Sequence, residues 1–352
     1  MNSKIADFFS KKLPFVVYRK PNENLINGLF MNNSKLVFTQ DFNEEGFVFA
    51  PFDSDKKAVL FPIDNATLIS ESFHSNIINK QVLAKQNSVD DIKNAHLKIV
   101  KNAIEKISQG DLKKVVISRK ELVSLNSFDV ISLYNKLLTT YATAFVYVWY
   151  HPKVGLWFGA SPETLLETTN THFKTMSLAG TQLDKGTANI IWQAKELEEQ
   201  QMVTTFIEKQ LRDISSDLKT FTTETVKAGS LLHLRTKVTG VLKPKTSLKN
   251  LIRALHPTPA VCGLPRDKAK EFILHNETYD RTFYTGFLGE INFKSQEDNT
   301  LKTALFVNLR CMNIKDKDAC IYVGGGITKE SDPLKEWEET VSKSLTMKKV
   351  LI

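Results

Sequence analysis

Tyr322-Val-Gly-Gly-Gly-Ile-Thr-Lys-Glu-Ser-Asp-Pro-Leu-Lys-Glu336-Trp-Glu338-Glu339-Thr-Val-Ser-Lys343 reads as strand, glycine turn and helix. Asp332 is placed to cap the helix, and Pro333 suits its first position, where a missing N–H is no loss. Beyond that start Leu334, Trp337, Val341 and Leu345 share one stripe, expected to pack, while Glu336, Glu339 and Lys343 share a charged one. Taken alone, an acidic pair at this spacing is a solvated surface. Gly324-Gly325-Gly326 changes its weight, because glycines let a backbone approach a ligand closely just before the helix. A carboxylate pair beside such a turn suits a hard cation, and a second pair, Glu196 and Glu199, stands upstream.

The 352 residues, 42% of them hydrophobic, suffice for one large or two ordinary domains. No apolar run is long enough to span a membrane, and Met1 to Ser10 lacks the apolar core of a signal peptide, so a soluble, cytoplasmic protein with no membrane partner is expected. Cys262, Cys311 and Cys320 have neither zinc-ligand nor CxxC spacing, which fits a reducing compartment without disulfides. The formal charge of +8 is spread along the chain, without a basic block or aromatic-basic interleaving. No nucleic-acid partner is therefore expected; a small dianionic ligand is compatible with that charge.

To about residue 85 the sequence reads as short strands, among them Phe15–Tyr18, Gly28–Met31, Lys35–Phe38 and Gly46–Ala50, separated by Asn-, Pro- and Asp-rich turns. Helical spacing runs from Asp90 to Gln109, and a strand, Lys114–Arg119, follows. Further strands lead into Gly159-Ala-Ser-Pro-Glu163, and a long helix is expected from about Thr187 to Ile214, with Trp192 on its apolar side. Strands are expected again at 234–241, 282–293, 303–314 and 319–323, with helices near 248–255 and 266–275. Strands in runs with helices inserted define an α+β class of large, mostly antiparallel sheets. One compact domain over 1–352 is expected, with a short N-terminal strand region (1–85) joined to a motif-bearing core (90–352).

Lys114-Val-Val-Ile-Ser-Arg119, Gly159-Ala-Ser-Pro-Glu163, Leu178-Ala-Gly-Thr181, Lys195-Glu-Leu-Glu-Glu199, His256-Pro-Thr-Pro-Ala260, Asp280-Arg281, Leu309-Arg-Cys311 and the stretch from Gly324 to Thr340 occur in this order. Together they resemble the chorismate-utilising enzymes, and in particular their isochorismate-forming branch. The resemblance fades across the N-terminal quarter. It implies a central cleft binding Mg²⁺ and the small-molecule substrate chorismate. Glu199 and Glu339 are then the direct metal ligands, supported by Glu196 and Glu336, in keeping with the preference of Mg²⁺ for carboxylate oxygens.

The same resemblance makes Lys114 the general base that activates water for attack at C2, a role requiring a neutral amine. Strand alternation puts Lys113 and Lys114 on opposite faces, so only one of them points into the cleft. Glu163 becomes the general acid for the departing C4 hydroxyl, which requires a carboxyl kept protonated near neutral pH. Arg310 and Tyr284 match positions binding the enolpyruvyl carboxylate; Lys343, Thr181, Gly325 and His256 line the substrate. Gln200 stands where histidine is common, a departure bearing on fine positioning. The branch needs no glutaminase subunit, and a monomer is expected. Salicylate synthase, which adds pyruvate elimination, shares Lys114, Glu163 and the metal carboxylates and is the enzymatic alternative; a non-catalytic chorismate-binding paralogue is the other. Menaquinone and siderophore biosynthesis both remain open as destinations.

Overall fold

The computed structural model describes residues 1–74, 84–86, 90–184, 186, 190–229, 231–295 and 297–351. Two ten-stranded sheets, antiparallel throughout, face one another. In the first, Lys114–Leu125, Asp318–Ile327, Cys311–Lys315, Gly155–Ser161 and Phe145–His151 lie side by side, and Phe15–Arg19, Leu25–Met31 and Ala66–Ser72 extend one edge. In the second, Leu231–Leu242, His172–Leu183, Thr164–Thr169, Leu301–Val307 and Phe287–Lys294 are extended by Gly46–Ala50, Ala58–Pro62 and Val37–Thr39. The N-terminal strands thus add to both sheets. The N-terminal reading as strands and turns omitted one element, the helix Asn2–Ser10, which buries Ile5 and Phe8 against the first sheet.

Between the sheets is an aromatic layer. Tyr18, Phe145, Tyr147, Trp149 and Trp157 come from the first sheet, and Phe47, Phe49 and Phe306 from the second. Phe145 stacks on Phe306 with centroids 4.0 Å apart. Each ring withdrawn from water contributes on the order of 2 kcal/mol, so this layer holds the sheets at fixed spacing. Helices cover the outer faces: Val130–Thr140 and Pro333–Leu351 on the first, Ala194–Arg212 and Leu248–Leu255 on the second.

One strand expected as continuous crosses instead from sheet to sheet. The run expected at 303–314 divides into Leu301–Val307 in the second sheet and Cys311–Lys315 in the first, broken at Asn308-Leu309-Arg310. Arg310 adopts a φ of 48°, which ends the extended run, and Asn308 is tied by Tyr147 Oη and by the Phe283 carbonyl. A second crossing, at Pro162-Glu163, joins Gly155–Ser161 to Thr164–Thr169. The strand expected from 282 begins only at Phe287, after a turn that includes Tyr284.

The two acidic helices also differ from expectation. The expected start at Thr187 lies outside the described residues; the helix runs Ala194–Arg212, leaving Trp192 and Ile214 beyond its ends. Trp192 Nε1 donates instead to Thr225. In Pro333–Leu351, Asp332 does cap the first turn, accepting from Lys335 N. Its packed side, however, carries Glu336, Trp337, Thr340, Ser344 and Met347, while Leu334 and Leu345 are exposed. Small polar side chains bring this helix close to the glycine-rich strand, and Arg119 binds it by donating to Thr340 and stacking on Trp337.

Candidate active site

A cleft with about 700 Å³ of space between its walls, partly open to solvent, lies where the strands cross. Alternation builds one wall: Val115 and Ile117 pack outward against the helices Asp90–Ser108 and Arg266–Asn276, so Lys114 and Val116 face inward. Lys113 is exposed, as alternation requires. The crossings deliver Glu163 and Arg310, the turn before Phe287 delivers Tyr284, and the irregularity between Ala179 and Thr181 in the strand His172–Leu183 delivers Gly180 and Thr181. Ala260, Val261 and Leu309 complete the apolar side.

Glu163 is buried with no carboxylate beside it, and burial pushes its carboxyl up to about 8, against the pull of Lys114. It therefore carries a proton at neutral pH. Lys114 is fully buried, its ammonium 2.8 Å from Glu199 Oε1 but out of line for a hydrogen bond. Burial alone would raise Glu199; Lys114, helped by Lys343 and Lys195, overrides it and holds the carboxylate below its ordinary range.

Three carboxylates and three lysines meet at the base. Lys343 pairs with Glu339 at 2.5 Å and donates to the Gly324 carbonyl. Lys195, which sequence reasoning had not singled out, reaches across from the other helix to Glu336 Oε1 at 2.6 Å. Glu336 Oε2 is buried without a partner, facing Gly325, and burial together with Glu339 raises its carboxyl. Glu196 is not in this group: its Oε2 accepts from Gln193 N in a capping box, so the carboxylate is spent on its own helix end. Gly325 is likewise displaced from its expected role; Gly324 and Gly326 line the cleft, while Gly325 lies under Glu336. A Cβ on residue 326 would sit 2.6 Å from Glu199 Oε1 and 2.9 Å from Lys114 Cε. Gly326→Ala is therefore expected to part this pair while sparing the fold, with turnover falling about 100-fold and melting temperature shifting by only a few degrees.

His256 does not reach the cleft. It ends the Leu248–Leu255 helix, facing the Phe52 carbonyl and the ring of Phe287, and burial lowers it to about 4. The cleft has a different histidine, His233. Its Nδ1 lies 3.0 Å from the Gly180 carbonyl, its Nε2 is buried without a partner, and burial, with Arg310 and Lys343, lowers it to about 3. The strand expected from residue 234 starts at Leu231, so His233 fell outside the alternation that would have assigned it a face. Arg310 makes a single long bond, to the Lys343 carbonyl at 3.4 Å, and Tyr284 stacks on Tyr322. Gln200 serves the helix position: it accepts from Ala179 N and donates to Ser177 and Thr236.

A buried, proton-carrying carboxyl, a buried lysine and an under-bonded guanidinium around one cleft define an enzyme that handles a small anion by acid–base chemistry. Residues 54–352 match the family described as Chorismate binding enzyme, and the chain belongs to it. It is 29% identical over 276 residues to the isochorismate synthase DhbC of Bacillus subtilis, covering 73% of this chain and 67% of that one. With the isochorismate synthase EntC of Escherichia coli K12 it shares 26% over 293 residues, 80% of this chain and 72% of the other. A Bacillus anthracis structure assigned as a 2,3-dihydroxybenzoate-specific isochorismate synthase, DhbC, superposes with a TM-score of 0.82 at 26% identity, covering 99% and 98% of the two chains.

Proposed function

We propose that this chain is an isochorismate synthase, converting chorismate to isochorismate. The observation that supports the reading is the pairing of Lys114 with Glu199, which lines the cleft, together with a protonated Glu163 in the wall of the same cleft. With Lys114 as the neutral amine, its own proton having passed to solvent, water loses a proton to it as the water oxygen bonds to C2; the ring double bonds shift, and the C4–oxygen bond breaks as Glu163 gives its proton to the departing hydroxyl. One water enters and one leaves, so the net change is isomerisation. Arg310 and Tyr284 hold the enolpyruvyl carboxylate, for which a guanidinium fork and a phenol are apt. Thr181 and Lys343 border the same space.

Mg²⁺ is the proposed cofactor. Among the described residues no cluster of three or more potential ligands already converges on a metal position. The donor set nevertheless fits: Glu199 and Glu339 offer hard oxygens on facing helices, Glu336 Oε2 is an orphaned buried acceptor, and the glycines leave the space open. Bound there, the ion would offset the carboxylates' mutual repulsion and take the ring carboxylate of the substrate as a further ligand. Lys114 must give up its pairing with Glu199 to act as base.

Ala260 in the apolar wall resembles the isochorismate-forming pattern, threonine being more typical of the salicylate-forming branch there, and so favours a reaction that stops at isochorismate; elimination would also need the side chain held against the C2 hydrogen. Chromatography of chorismate incubated with the pure chain, with and without Mg²⁺, is expected to give isochorismate in the metal-containing sample. Stoichiometric salicylate and pyruvate would select the alternative, and no conversion would leave a chorismate-binding protein. Lys114→Gln is expected to lower kcat by about 100-fold or more with KM little changed. Near-normal turnover by that variant would remove Lys114 from the mechanism.

A further inference from the structure

Beside the cleft lies a second cavity with about 990 Å³ of space between its walls, and the two share Pro162, Leu178 and Arg310. No step proposed above uses it. Its lining includes Lys227, Arg235 and Arg310 and, among the described residues, no acidic side chain. These cations are graded in depth. Lys227 is 63% exposed, Arg235 is 28% exposed, and Arg310 stands in the wall common to both spaces. Lys227 pairs with Asp184, which is 17% exposed and offsets much of its charge, whereas Arg235 pairs with Glu224, which is 44% exposed and so well screened, leaving Arg235 the stronger of the two outer cations. Among the described residues Arg310 has no carboxylate partner, only its long bond to a carbonyl. Thr143, Ala144, Ala160, Ala228 and Thr346 wall the space with small side chains, leaving it wide enough for a ligand.

We propose that this cavity is the entry vestibule for a small dicarboxylate anion, which passes Lys227 and Arg235 to reach Arg310 and, through it, the cleft. Positive charge lining a low-dielectric passage focuses the field and raises the rate at which anions arrive. The inference rests on the function proposed above in taking chorismate as the anion.

The test uses the full chain with Arg235→Glu, Thr143→Trp and Ala228→Trp. Thr143 is exposed and Ala228 half-buried, so a bulky replacement narrows the passage without entering the core. Chorismate association is followed by stopped-flow fluorescence, for which Trp157, stacked 5.4 Å from the cleft residue Tyr322, is a natural reporter. Arg235→Glu is expected to slow association about tenfold at low ionic strength, a deficit that shrinks in about 0.5 M salt. Each tryptophan variant is expected to slow association and lower kcat/KM about tenfold while kcat stays within about twofold. Folded variants that all associate within about twofold of the wild-type rate would overturn the vestibule, as would a loss in Arg235→Glu that salt leaves untouched. If the tryptophan variants fail to fold, Arg235→Glu alone decides. A wild-type chain that binds chorismate without converting it refutes the synthase reading alone, because the association rates still report on the vestibule.

Discussion

Replacing Glu163 by Gln is expected to lower kcat by about 100- to 10,000-fold, the range lost when a positioned general acid is removed. The amide keeps the shape of the side chain but has no proton to give the departing hydroxyl, so KM should move far less than kcat. The wild-type pH profile gives a second readout. The carboxyl titrates at about 8 in the folded chain because burial disfavours its charged form, so activity should decline as pH rises through that value, and the acid limb should not be set by Glu163.

The same shift acts on stability, with a definite sign. In the unfolded chain the carboxyl ionises near its ordinary value of 4.5. Between that value and about 8 the folded state holds the extra proton, so its stabilising effect is complete below the unfolded value and is lost as pH rises through the folded one. Glu163→Gln cannot ionise and should escape this loss, gaining on the order of 3–5 kcal/mol over the wild type above that window. Equilibrium urea unfolding of variant and wild type at about pH 4.5 and about pH 9 measures it. A variant that is inactive but no more stable at the higher pH would mean that Glu163 is ionised in the folded chain, and so is not the acid.

The second large effect is expected at Glu199. Glu199→Gln removes a hard oxygen from the proposed Mg²⁺ site and should lower turnover by more than about 100-fold, beyond the range typical of supporting partners around a metal. Because Glu199 also faces Lys114, loss of activity alone would not separate the two roles. Binding of Mn²⁺, followed by electron paramagnetic resonance, does: it should weaken in Glu199→Gln and Glu339→Gln and stay close to wild type in Glu196→Gln, whose carboxylate caps its own helix. Full turnover of the wild-type chain in excess chelator would remove the ion from the reaction.

How much of this could be read from the chain depended on the range of the interaction. The cap at Asp332, the inward face of Lys114 and the glycine approach before the last helix depend on neighbours within a few residues, and each was legible. Most of what was misread depends on partners far away; Glu196 is the local exception. The stripe of Leu334 and Leu345 has the right period, but Trp337 and the small polar residues are what fit the strand beneath. Glu196 has the right spacing for the cleft, yet the unfilled end of its own helix claims it. The turn between Val307 and Cys311 carries no proline or glycine to announce it, because it is dictated by the change of sheet and by the bonds of Asn308. His233 and the cross-cleft reach of Lys195 likewise emerge only from pairing that joins distant segments.

The two strand crossings have a consequence for assembly. Glu163 and Arg310 are supplied by segments that belong wholly to neither sheet, whereas Lys114 is held by one sheet alone. No fragment containing a single sheet can therefore carry a working constellation. The proposed acid, guanidinium and lysine come together only with both sheets in place. The aromatic layer in which Phe145 meets Phe306 joins the sheets, which makes the interior rings distant guardians of the proposed chemistry.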